Sequence, residues 1–142
     1  MTKFVFVCTG NTCRSPMAEA IMKQRGFEAK SAGLFAFPGE PISREAKKVL
    51  SEKGIDFDHS AQIFNTELGE WADIILTMTE SHRKHIASTY PAFSSKLYTL
   101  KEFAGDLGDV MDPFGGSLDT YRSTYEELEG LIERVVKKVT HQ

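Results

Sequence analysis

The sequence predicts a parallel α/β sheet with helices packed on both faces, and three observations carry that prediction. Apolar runs of strand length alternate with helix-forming segments along the chain. The first run, Phe4 to Cys8, is continuously apolar and rich in β-branched and aromatic residues, as a strand covered on both faces requires. A short loop containing Gly10 and Asn11 then leads straight into a helix start, at a strand's carboxyl end, where doubly wound sheets bind their ligands.

The remaining elements follow in order. Ser15 reads as an N-cap and Pro16 as the first helical residue, with Met17 to Lys23 continuing in good helix formers. A second strand covers Phe27 to Ala32, and a loop rich in Gly, Pro and Phe runs from Gly33 to Pro41. Ser43 caps a helix from Arg44 to Lys53 that Gly54 ends. Trp71 to Met78 is a third strand, Thr79 opens a helix carrying His82 and His85, and Lys96 to Leu100 is a short fourth strand. From Ser117 or Asp119 onward, Leu118, Tyr121, Tyr125, Leu128, Ile132, Val135 and Val139 recur at helical spacing, giving an amphipathic closing helix. The expected architecture is a doubly wound three-layer sandwich around a four-stranded parallel sheet. With 142 residues and no internal repeat or linker, residues 1–142 read as one domain.

Composition narrows the function. A formal charge of -3 argues against a general nucleic-acid binder, so any anion site must be local. The apolar opening Phe4–Val7 is too short for a signal peptide, and no segment approaches the about 18 apolar residues that span a bilayer, so a cytoplasmic protein without a membrane partner is expected. Two cysteines, Cys8 and Cys13, make a poor disulfide framework and half a zinc site, which turns the question to catalysis or redox sensing without a metal or cofactor.

The chemistry lies in Cys8-Thr9-Gly10-Asn11-Thr12-Cys13-Arg14-Ser15. Gly10 and Asn11 readily adopt positive φ, so the turn can curl its amides toward one centre in front of a helix N-terminus, a nest for an anion. Arg14 adds a planar, permanently charged fork suited to two phosphate oxygens. The same field favours the Cys8 thiolate, a nucleophile able to form a covalent phosphocysteine. With neither a Lys nor a second Gly, the loop is not a nucleotide-binding loop of the Gly-x4-Gly-Lys-Ser/Thr kind. A bare Cys-x5-Arg is a weak pattern; the flanking Ser15-Pro16 and its place between a buried strand and a capped helix make it specific.

The run Val7 to Glu19 resembles the signature of the low-molecular-weight protein tyrosine phosphatases, and the resemblance extends to Ser31-Ala32-Gly33, to Ala72–Thr79 and to Asp112-Pro113-Phe114-Gly115-Gly116. It implies a metal-free, two-step phosphatase acting on phosphorylated proteins. Cys8 is then the nucleophile and Arg14 the phosphate clamp, while Thr9, Gly10, Asn11, Thr12, Cys13 and Ser15 complete the binding loop. Ser15 is expected to donate to the thiolate and Asn11 to hold the loop's backbone. Asp112, followed at once by a rigid Pro113 and then by Phe114 and the flexible Gly115 and Gly116, becomes the general acid and base. Thr12 and Phe114 depart from most of the family, which has an aliphatic residue and Tyr or Trp there; they resemble the bacterial protein-arginine phosphatase branch. Phosphoarginine is therefore the expected substrate, with phosphotyrosine as the alternative.

Arsenate reduction, which needs further cysteines, and phosphate binding without catalysis, which needs neither Cys8 nor an acid, fit less well. Cys13 is placed to close a reversible disulfide with Cys8, or else is an inert buried thiol. Phe35 and Phe37 are either a pocket wall or partial core. His82 and His85 lack a third ligand, so a solvated or core-capping helix face is expected of them, and Glu126-Glu127-Leu128-Glu129 reads as a solvated face. A monomer is expected.

Overall fold

The computed structural model describes Met1 to His141, and four parallel strands form its centre. They are β1 (Lys3–Cys8), β2 (Glu28–Gly33), β3 (Ile74–Thr77) and β4 (Leu97–Thr99), in the order β2-β1-β3-β4. Central β1 pairs Phe4 with Ala29 and Cys8 with Gly33 on one side, and Phe4 with Ile74 on the other. Among the described residues, six α-helices surround the sheet: α1 (Arg14–Gln24), α2 (Arg44–Glu52), α3 (Thr66–Trp71), α4 (Glu80–Thr89), α5 (Leu100–Phe103) and α6 (Leu118–Thr140).

Strand alternation divides the core between the two faces. Phe4, Phe6 and Cys8 pack with Met17 and Ile21 of α1, Val49 and Leu50 of α2, and the apolar stripe of α6. Val5 and Val7 face Leu68 of α3 and Ile86 of α4. Each such side chain withdrawn from water contributes about 1.5–3 kcal/mol, which is why the buried run of β1 dominates the sheet. The α6 stripe follows the expected spacing: Tyr121, Tyr125, Leu128, Ile132 and Val135 are buried, with Leu118 and Val139 partly so.

Caps set the helix starts. Ser43, Thr79 and Ser117 accept from the backbone N–H of Ala46, His82 and Thr120 respectively. Gly54 leaves the end of α2 at a φ of 75°, where a side chain is disfavoured.

Several expectations need correction. Ser15 is not the N-cap of α1: the helix starts at Arg14 after Cys13, no side chain among the described residues caps it, and Pro16 is its third residue. The Ser15 hydroxyl is engaged by the loop instead, and Pro16 still falls in the first turn, where its missing N–H loses nothing. The strand expected over Trp71–Met78 begins only at Ile74. Trp71 closes α3, a helix missed in the sequence, which Asn65 caps by accepting from Leu68 N–H. The second strand runs one residue later than expected, and the fourth lies between a 3₁₀ turn, Pro91–Lys96, and α5, both too short to show periodicity. Glu129 is half-buried rather than solvated, accepting from the Tyr125 hydroxyl and pairing with Arg25.

Candidate active site

The loop from Cys8 to Ser15 leaves the end of β1 and closes over the N-terminus of α1. Asn11 makes the curl: its φ of 57° is the one positive value outside glycine among the described residues. The amides of Gly10, Thr12 and Cys13 find no acceptor among those residues, whereas Asn11 N–H donates to Cys8 Sγ at 3.3 Å. Gly33, at the end of β2, is required by this curl, because a Cβ there would lie 2.5 Å from the Thr9 carbonyl oxygen.

Behind the loop, a chain of hydrogen bonds fixes the proton directions. Ser31 Oγ lies 2.6 Å from Glu19 Oε1 and donates to it, while accepting from Asn11 Nδ2 at 3.0 Å. Asn11 Nδ2 also donates to Ser15 Oγ at 2.9 Å, so the Ser15 hydroxyl proton goes to the nearer of its two acceptors, Cys8 Sγ at 2.9 Å rather than the Ala32 carbonyl at 3.5 Å. Asn11 Oδ1 accepts from Gln62 N–H at 3.0 Å and from His59 Nε2 at 2.9 Å. Cys8 Sγ therefore meets two donors, the Ser15 hydroxyl and the Asn11 N–H. Asn11→Ala should lower unfolding stability by about 3 kcal/mol, because it strands these buried partners and keeps a strained φ. An unchanged denaturant midpoint would show that the network does not hold the loop.

Asn11 and Ser15, expected among the substrate-binding residues, are fully buried and do not line the cavity. Their polar atoms are taken up by the network, so they shape the site from behind. Cys8, Thr9, Gly10, Thr12, Cys13 and Arg14 line a cavity of about 350 Å³ whose walls are Phe35, Phe37, Glu40, Asp112 and Phe114. Phe35, Phe37 and Phe114 are 65%, 77% and 78% exposed, so the two loop phenylalanines are wall rather than core.

Arg14 is buried and clamped: one guanidinium nitrogen donates to the Val110 carbonyl at 2.9 Å and the other lies 3.7 Å from Asp112 Oδ2. Val110 N–H donates to the Met78 carbonyl beyond β3, which ties the acid loop to the sheet. Asp112 Oδ1 accepts from Phe114 N–H at 3.0 Å, and its side chain is half exposed. Residues 104 positions apart in sequence, Cys8 and Asp112, thus share one cavity.

Cys13 is buried; its Sγ lies 3.4 Å from Tyr121 Oη and 3.7 Å from both Thr12 Oγ1 and Ser43 Oγ. Burial and then the Cys13 contact push the Tyr121 hydroxyl above its ordinary pKa. Both cysteines are free thiols. His85 is exposed with its ring edge against Phe35, while His82 is buried beneath the loop, and no metal-holding cluster occurs among the described residues.

Glu19, Ser31, His59, Gln62, Glu40 and His82 were not foreseen as parts of the site. Glu19 carried a usable signal, a carboxylate inside a helix flanked by Ala18, Ala20 and Ile21. The others stand in segments whose place beside the loop is set only by folding.

An anion nest, a buried arginine and a thiol at the carboxyl edge of a parallel sheet define a cysteine-dependent enzyme of phosphate chemistry. The family model "Low molecular weight phosphotyrosine protein phosphatase" matches residues 3–142, and the chain belongs to that family. It is 45% identical over 141 residues to a protein-arginine-phosphatase of Geobacillus stearothermophilus, covering 96% of this chain and 95% of that protein. A low molecular weight protein-tyrosine-phosphatase of Staphylococcus haemolyticus is 43% identical over 135 residues, covering 94% and 96%. Among solved structures, the arginine phosphatase from Geobacillus stearothermophilus superposes with a TM-score of 0.96 at 44% identity, covering 99% of this chain and 94% of that one. A low molecular weight protein tyrosine phosphatase from T. tengcongensis gives 0.93 at 47% identity, covering 97% and 99%.

Proposed function

We propose that this enzyme dephosphorylates phosphoarginine in proteins, with Cys8, Arg14 and Asp112 as its catalytic residues. The observation that carries the reading is Thr12: its side chain stands on the cavity wall with Asp112, offering a hydroxyl and a small methyl group to a polar guanidinium. Relatives at 45% and 44% identity that are named protein-arginine-phosphatases support it.

The phosphoryl group occupies the nest, with the Gly10, Thr12 and Cys13 amides and the Arg14 fork on its non-bridging oxygens. Cys8 Sγ attacks phosphorus in line, the P–N bond breaks, and the Asp112 carboxyl gives its proton to the departing guanidine nitrogen. Water then attacks the phosphocysteine while the Asp112 carboxylate takes its proton. The P–S bond breaks, and inorganic phosphate and the Cys8 thiolate are restored.

Three exposed aromatic rings on the rim favour a second reading, phosphotyrosine. A panel of phosphoarginine, phosphotyrosine and phosphoserine peptides separates the two. Thr12→Ile should shift the ratio of kcat/KM by roughly 10–100-fold from phosphoarginine toward phosphotyrosine. An unchanged ratio removes Thr12 as the selector, and a wild type that prefers phosphotyrosine replaces the first reading with the second.

Oxidation is proposed to inactivate the enzyme reversibly by joining Cys8 to Cys13. After mild peroxide treatment, Cys13→Ser should recover with thiol reductant far less fully than wild type; equal recovery refutes a protective role. A nucleophile that must stay reduced supports a cytoplasmic location. The single domain is proposed to act as a monomer on phosphorylated protein substrates.

A further inference from the structure

The two-step chemistry leaves His82 without a task, yet the structure holds it tightly. It is 7% exposed, and its backbone N–H donates to the Thr79 side chain at 3.1 Å in the first turn of α4. Its Nε2 lies 2.9 Å from Thr9 Oγ1, and its buried Nδ1 meets no partner among the described residues. Thr9 follows Cys8 directly, lines the cavity, and has no other partner for its hydroxyl among those residues.

These contacts decide where the imidazole proton sits. Burial, then the Arg14 charge, with a smaller contribution from His85, push His82 down to about 4 against the pull of Asp109 and Asp112, so the ring carries one N–H at neutral pH. A proton on Nδ1 would be a buried N–H without an acceptor. On Nε2 it donates to Thr9 Oγ1 and leaves only a lone pair unpaired, which is the lesser penalty. The Thr9 hydroxyl, having accepted, keeps its own proton free.

We propose that His82 is a positioning residue that, as the Nε2–H tautomer, turns the Thr9 hydroxyl proton into the cavity to donate to an oxygen of the bound phosphoryl group. This rests on the phosphate-site reading above. No proton is transferred, and His82 does not touch the substrate.

Calorimetric binding of inorganic phosphate to the full chain tests this without turnover. Thr9→Val and His82→Leu should each weaken phosphate roughly tenfold, the double variant no further, and Thr9→Ser should stay within about twofold of wild type. Should His82→Leu unfold early, His82→Gln keeps an N–H near the Nε2 position and should bind phosphate nearly as wild type does. Nitrogen-15 spectra of wild-type His82 should show the Nε2–H tautomer. The Nδ1–H tautomer, wild-type affinity in Thr9→Val, or additive losses in the double variant would each overturn the proposal alone. A wild type that binds no phosphate would overturn the phosphate-site reading as well.

Discussion

Serine in place of Cys8 is expected to lower kcat by roughly 10⁴-fold or more while leaving inorganic phosphate binding nearly intact. The reason lies in how sulfur is held. Asn11 N–H at 3.3 Å and the Ser15 hydroxyl at 2.9 Å are donors suited to an anionic sulfur. A serine hydroxyl there is neutral at working pH and has no base beside it, so the covalent step loses its nucleophile. The nest amides and Arg14 are untouched by the change, which is why binding survives. Steady-state turnover and phosphate affinity, measured together, separate the two effects. Full turnover in Cys8→Ser would end the phosphocysteine mechanism.

Asp112→Asn should lower kcat for phosphoarginine and phosphotyrosine peptides by roughly 10²–10³-fold, because the leaving atom no longer receives a proton. Para-nitrophenolate leaves without help, so with para-nitrophenyl phosphate the first step should survive while the water-activating role is lost. The variant is then expected to release a burst of p-nitrophenol near one equivalent per enzyme, followed by slow turnover as phosphocysteine accumulates. Stopped-flow absorbance reads this directly. A peptide rate equal to wild type would assign the acid to another group, and Glu40 is the other carboxylate that lines the cavity among the described residues.

The elements that could be read early are those whose signal is local. The buried run of β1 and the seven-residue stripe of α6 follow from hydropathy alone, and the helix starts at Ser43 and Thr79 from single residues and their neighbours, while the choice between Ser117 and Asp119 for α6 fell to Ser117 only in the structure. Trp71 was misplaced because an apolar residue at a helix end and one at a strand start look alike in a short window. Ser15 was misread for a different reason. Its local context favours a cap, but a thiol seven residues earlier and an amide four residues earlier claim its hydroxyl once the loop has curled. Phe35 and Phe37 stayed ambiguous until folding left both of them largely exposed on the cavity rim.

By itself the sequence determined the fold class, the identity of the reactive loop and the pairing of a thiol with an arginine, because each is written in contiguous residues whose backbone preferences and charges act over a few ångströms. Only the tertiary structure decided what stands around that loop. Asp112 reaches the cavity through the Val110–Met78 bond, and Glu19, Ser31 and His59 brace it from three separate segments. His82 reaches Thr9 from another helix, across 73 positions of chain. Such contacts depend on how sheet and helices pack in space, and no stretch of neighbouring residues encodes them.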